Sequence, residues 1–244
     1  MPLYRLALLL LALAACPRKT SETPTVIHRP RASLPFVDLG WVKMHDHFVA
    51  TVGPSAGQGR PLGDLLVLAD ATFTPKSRFP FHEHAEMEIV SIVLSGTLTH
   101  HEPSTSLKLA EGSTQLMSAR GGITHAEGND TEGPVRMLQL WIRPSTSGGE
   151  AVHRVFGPFK LGAELTRVTP EDLRQDATVS MARVKPGEKL RLDAKAGRRL
   201  YVLCAGEGTF EGTKLGDGDG MQLDSGAGTF AGDATLVAID LRSR

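Results

Sequence analysis

From Trp41 onward the apolar residues come in short runs separated by Gly, Pro, Ser and Asp. Leu65-Leu66-Val67-Leu68-Ala69 reads as one strand, and Ile89 to Leu94, rich in β-branched residues, reads as the next, ending at the turn Ser95-Gly96. Leu98-Thr99-His100-His101 alternates as a third. The loop Pro103-Ser104-Thr105-Ser106 then turns the chain into Leu107-Lys108-Leu109, which runs to Glu111-Gly112. Gln115 to Ser118 and Met137 to Ile142 complete the set. Strands at this spacing, with no long helical stretch between them, predict an antiparallel barrel or jelly roll.

After the linker-like Arg143-Pro144-Ser145-Thr146-Ser147-Gly148-Gly149 the same rhythm returns. Met181 to Val184, the turn Lys185-Pro186-Gly187-Glu188, Leu190-Arg191-Leu192, an apolar run from Leu200 to Gly206, a Gly-Asp turn and a last strand from Thr235 to Leu241 follow the order of the first half. The expected fold is therefore all-β, with two tandem antiparallel β-barrels over residues 36–149 and 150–244.

Composition fits this reading: 244 residues with 26 Gly, 15 Pro and 22% charged residues are turn-rich. The formal net charge is zero and no Lys/Arg run stands out, so no nucleic-acid partner is expected. Of the two cysteines, Cys204 lies in an apolar run and is expected to be a buried, inert thiol.

Cys16 belongs to a different kind of segment. Arg5 precedes an apolar run from Leu6 to Ala15, too short to span a bilayer but the right length for a signal-peptide core. Its end, Leu13-Ala14-Ala15-Cys16, resembles the lipobox of bacterial lipoproteins. That resemblance implies cleavage before Cys16, lipidation of Cys16, and a protein held at the cell envelope by its N-terminal lipid alone. Ordinary cleavage after Ala12-Leu13-Ala14 is the alternative, and it would release a soluble protein. Residues 1–16 are read as the signal peptide and 17–35 as a flexible tether.

The candidate chemistry lies in the first half. His82-Glu83-His84 on an extended segment places both rings on one face, and His125-Ala126-Glu127 repeats the spacing. Facing each other, His82, His84, His125 and Glu127 make a four-ligand site for one divalent transition metal, Fe(II), Ni, Cu, Mn or Zn, with room left for water or substrate. Neutral rings are required, so occupancy is expected to fall below about pH 6. Glu83 should point away, Glu86 shares the face without a counterpart, and Glu88 is either a ligand or a partner to one. Where the first half has His82-Glu83-His84 the second has Arg191-Leu192-Asp193, and no histidine follows His153. Metal is therefore expected in the first half only.

The stretch from Phe81 to Gly96, with Gln115 to Glu127 and Leu138-Gln139-Leu140-Trp141-Ile142-Arg143-Pro144, resembles the pirin family of the cupin superfamily. The resemblance spans about residues 38–244 and is strongest from Phe79 to Pro144. It implies a monomeric bicupin with one metal, usually iron, in the first barrel, held by His82, His84, His125 and Glu127.

Some members resemble quercetin 2,3-dioxygenases, which implies a flavonol-like small molecule and O2 as substrates, with Glu127 taking the hydroxyl proton. Chemistry on another small molecule, or a non-catalytic metal- or redox-responsive binding role at the envelope, are the alternatives. Around Trp41 to Phe48 the family segment runs near the cavity, so His45 or His47 either lines the site or packs in the core. Arg120 stands where the family usually has Gly, which strains or rebuilds the loop before His125 if that position has φ > 0. Ile92 stands where Tyr is usual, removing a hydroxyl from the cavity wall or its surroundings.

Overall fold

The computed structural model describes residues 24–49 and 61–243, so Cys16 and the signal segment lie outside the described residues. Strands dominate, every pairing is antiparallel, and the one helical element among the described residues is the 3-10 turn Arg31–Ser33. No helix among these residues is long and apolar enough to cross a membrane.

The first half stacks two sheets. One has seven strands in the order Val152–Phe156, Thr114–Ser118, Glu88–Ser95, Val135–Ile142, Leu65–Phe73, Val42–Phe48 and Phe36–Asp38. The other runs Ser77–Arg78, Ile123–Asn129, Thr97–Glu102, Thr105–Ala110, with the short His82–His84 strand also paired to Ile123–Asn129. Val42, Phe73, Val93 and Met137 from the first sheet meet Leu98 and Leu109 from the second in one buried cluster, which fixes the sheets face to face.

The second half is a single seven-stranded sheet organised by Asp219–Arg242, a 24-residue strand that bends and pairs with four others. Its own core collects Leu192, Val202, Phe210, Leu223 and Phe230. Cys204 lies there, 1% exposed, and burial pushes its thiol up to about 12, as expected of an inert buried cysteine. The architecture is all-β and two-fold repeated, with open jelly-roll layers in place of closed barrels.

Two strands cross the boundary between the halves. Thr25–Arg29, expected within a flexible tether, pairs with Gly220 to Ser225 of the long strand. Val26 packs on the second-half core, and His28 contacts Asp219 at 3.0 Å, contacts with partners far along the chain. Val152–Phe156, beyond the linker, returns to pair with Thr114–Ser118 of the first half.

The halves also share a core. Phe48, Leu68, Ile92 and Leu138 of the first are buried with Val179, Tyr201, Leu203 and Ile239 of the second. Gly220 leaves room here: a Cβ at this position would sit 1.8 Å from the Tyr201 hydroxyl. That hydroxyl shares a 2.6 Å hydrogen bond with His47 Nδ1.

Beside this core Arg136 grips the fully buried Asp70 with two bonds, Nε at 2.8 Å and Nη2 at 2.7 Å, and reaches Asp217 of the second half with Nη1 at 2.7 Å. Burial would raise the Asp70 carboxyl, but the Arg136 bonds, with the charges of Arg136 and Arg31, more than offset this and hold it below the usual range. Arg136→Ala leaves that carboxylate with Arg31 alone, 3.4 Å away. We expect a loss of about 3 kcal/mol in urea unfolding at pH 7, as for other broken buried pairs.

Candidate metal centre

Strand register assembles the site. His125 lies directly opposite His82, and Ile123 opposite His84, so alternation brings His82, His84 and His125 to one face. Ring centroids are 4.5 Å apart for His82 and His125, 4.8 Å for His82 and His84, and 5.2 Å for His84 and His125. One nitrogen from each lies within 4.8 Å of the other two. His82 engages the Pro80 carbonyl through Nδ1 at 2.8 Å, which leaves Nε2 as its ligating atom. Nε2 of His84, Nε2 of His125 and Oε2 of Glu127 are buried without any hydrogen-bond partner.

Such orphaned acceptors and donors are costly unless something satisfies them. A divalent cation among the three histidines would do so for the rings; Glu127 lies outside that 4.8 Å group but on the same cavity wall as His82, and three imidazoles with a carboxylate suit a borderline transition metal. The residues present therefore fit the single metal that the sequence suggested.

Burial also decides how the site titrates. It lowers His84 to about 4 and, with the charges of His82, His100, His84 and His153, His125 to about 2. Burial therefore keeps these two rings neutral well below pH 6. Glu127, 2% exposed, moves the other way: burial pushes its carboxyl up to about 7 although a Gln139 bond favours the charged form.

Gln139 and Trp141 form a support that sequence reasoning missed. Trp141 Nε1 donates to Gln139 Oε1 at 2.9 Å, and Gln139 Nε2 in turn donates to Glu127 Oε1. The Trp141 ring stands edge-on to His84, centroids 5.0 Å apart. Their i, i+2 spacing in Leu138-Gln139-Leu140-Trp141 was the available signal. Gln139→Leu should raise the Glu127 pKa further and weaken metal binding roughly 10-fold, read by competition against a chromophoric chelator.

The other acidic and histidine candidates resolve separately. Glu83 is exposed, pointing away as alternation requires. Glu86 accepts the Gly148 amide at 2.8 Å, outside the ligand cluster. Glu88 is no ligand: fully buried, it takes Ser118 Oγ at 2.5 Å and Arg174 Nε at 2.9 Å, a tie between the halves.

On the Val42–Phe48 strand the opposite phase faces the site. Met44 and Asp46 line the cavity, whereas His45 packs on Phe36 and His47 bonds Tyr201. Ile92 likewise belongs to the core between the halves, so its missing hydroxyl leaves the cavity wall unchanged. Arg120 does hold φ at 44°, a left-handed conformation favouring glycine. The loop keeps its shape through bonds from Glu86 N to the Arg120 carbonyl and from Gly122 N to the Ala119 carbonyl, at 2.8 and 2.7 Å.

His82 and Glu127 open onto a cavity of about 270 Å3. Val67, Ala69, Met137 and Phe79 give it apolar walls, with Asp46, Gln139 and Trp141 adding polar atoms. An apolar pocket with a few convergent polar groups is the ordinary form of a small-molecule site.

A two-part β-sandwich with an inward His/Glu cluster in its first half defines a cupin-type metal protein. The chain belongs to the pirin family. A family model described as Pirin matches residues 28–142, and one described as Quercetinase C-terminal cupin domain matches 168–241. A pirin-like protein of Caulobacter vibrioides is 31% identical over 230 residues, 87% of this chain and 97% of that protein. "Putative quercetin 2,3-dioxygenase" of Zymomonas mobilis is 30% identical over 215 residues, 81% and 89%. The crystal structure of bacterial pirin YhhW from Escherichia coli in complex with nickel(II) superposes with TM-score 0.80 at 23% identity, covering 90% of this chain and all of that one.

Proposed function

We propose that the protein is a metal-dependent oxygenase of the quercetin 2,3-dioxygenase type, acting on a flavonol or similar flat hydroxylated ring with O2. The observation that carries the reading is the carboxylate of Glu127, buried and without a partner at Oε2, on the wall of an apolar cavity beside His82. Relatives named for quercetin 2,3-dioxygenase activity and the match of residues 168–241 support it.

His82, His84 and His125, each through Nε2, would hold the metal together with Glu127. When bound, the metal would acidify a coordinated substrate hydroxyl and activate the ring toward O2. Glu127 is the carboxylate placed to take the hydroxyl proton. Gln139 holds the other oxygen and so fixes the carboxylate's orientation. Phe79, Val67 and Met137 exclude water and orient the ring against the ligand face. Iron(II) is the metal we favour, and the nickel found in the related bacterial pirin makes nickel the first alternative.

O2 uptake by the protein fully loaded with iron(II) or nickel, with quercetin as substrate, tests the reading. Absence of uptake at full occupancy sinks it.

We further propose that Leu13-Ala14-Ala15-Cys16 directs export and that lipid on Cys16 holds the protein at the bacterial cell envelope. Cys16→Ser should leave an uncleaved precursor or move the protein to the soluble fraction. Unchanged cleavage together with unchanged membrane fractionation counts against lipidation.

A further inference from the structure

We propose that His100, Glu102 and His153 form a second metal site, for a borderline divalent cation such as zinc, in the same half of the molecule. One donor atom from each residue lies within 4.8 Å of the other two. His100 and Glu102 share a face of the Thr97–Glu102 strand, as alternation requires, while His153 arrives from the Val152–Phe156 strand across the linker. Glu102 Oε1 is 2.9 Å from His153 Nδ1 and 3.4 Å from His100 Nε2. The two rings lie with centroids 4.1 Å apart.

Two features point to a cation here. His100 is fully buried, and its Nε2, aimed at this cluster, has no hydrogen-bond partner. His153 Nε2 meets Gln115 Oε1 at 3.0 Å, and the Gln115 amide nitrogen is engaged by Ser91 Oγ at 3.2 Å. Gln115 Oε1 therefore accepts a proton from His153 Nε2, which leaves His153 Nδ1 as the atom facing the Glu102 carboxylate. A cation seated among His153 Nδ1, His100 Nε2 and Glu102 Oε1 would engage all three. Two imidazoles and one carboxylate are a common three-ligand set for zinc, with the remaining position left to water. Glu102 is 29% exposed along its side chain, so the site opens to solvent and has an entry path.

The site touches the first one. His125 and His100 meet through their Nδ1 atoms at 3.4 Å. With both Nε2 atoms ligated, two N–H groups would face each other across that gap. Loading both sites thus sets two N–H groups against each other, so the second ion binds more weakly than the first.

Zinc stoichiometry of the purified full chain, measured after equilibration with buffered zinc, tests the proposal independently of the first site. The expected result is two ions per chain for the parent and one each for Glu102→Gln and for His84→Ala. Glu102→Gln keeps the shape of the side chain, so misfolding does not mimic the loss. One ion in the parent, retained in Glu102→Gln and lost in His84→Ala, overturns the second site and leaves the first standing. One ion lost in Glu102→Gln and retained in His84→Ala sustains the second site and overturns the first. Two ions in both the parent and Glu102→Gln also overturn it.

Discussion

His125→Ala is expected to abolish metal binding at the His82/His84/His125/Glu127 centre and, with it, any O2 uptake. His125 is the ligand placed opposite His82 and within ring contact of His84, so its loss opens the middle of the cluster. Removing a ligand should cost more than the roughly 10–100-fold that loss of a supporting partner costs. The metal-free fold should lose little, because Nε2 of His125 is itself buried without a partner in the absence of an ion. Thermal melts separate these effects. Metal at about 100 times its dissociation constant stabilises the parent by about 2.7 kcal/mol. The variant should show no such increase, with its metal-free melting temperature close to the parent's. A variant that retained the full metal-induced increase would remove His125 from the ligand set.

Glu127→Gln should act in opposite directions on metal binding and on the metal-free fold. In the metal-free protein burial raises the carboxyl from its ordinary value of about 4.5 to about 7. The folded state therefore binds more protons than the unfolded chain between these values, and stability falls as pH rises through that window. Above pH 7 the buried charge costs on the order of 2–3 kcal/mol, which the amide removes. At pH 8 the metal-free variant should thus be more stable than the parent, and below about pH 4.5 this difference should vanish.

Metal binding shows the reverse. In the parent the ion must displace the Glu127 proton below pH 7, so affinity is flat above that pH and falls about tenfold per unit beneath it. In the variant the neutral amide is a poorer ligand, affinity is lower throughout, and the step at pH 7 is absent. His84 and His125, lowered by burial to about 4 and about 2, enter only in stronger acid. A parent whose affinity instead broke near pH 6 would assign the titration to a histidine.

The grouping of the three histidines was legible because strand alternation is local. His82-x-His84 and His125-x-Glu127 each fix two side chains on one face before any tertiary contact is known. The same pattern was present in His100-Glu102, yet its third member, His153, reaches it only because the chain returns across the linker to pair with Thr114–Ser118. Nothing local marks that return.

The phase of Val42–Phe48 was hidden for a related reason. His45, His47, Met44 and Asp46 alternate equally well either way, and Tyr201 and Phe36 decide which face turns outward from the cavity. The role of Glu88 stayed open between ligand and supporting partner because its own partner, Arg174, comes from the other half. The Thr25–Arg29 strand inside the expected tether illustrates the same limit, since it is too short to declare itself and its partner is the last long strand.

That pairing bears on how the chain reaches its folded state. His28 and Asp219 are 191 residues apart in sequence. During synthesis the earliest strand has nowhere to dock until almost the whole polypeptide has emerged, and closing so large a loop is slow. Neither half is therefore a self-sufficient fragment. Cutting at residue 149 would strip the first half of Val152–Phe156 and the second of Thr25–Arg29, leaving each with an exposed sheet edge where unrelated chains can pair.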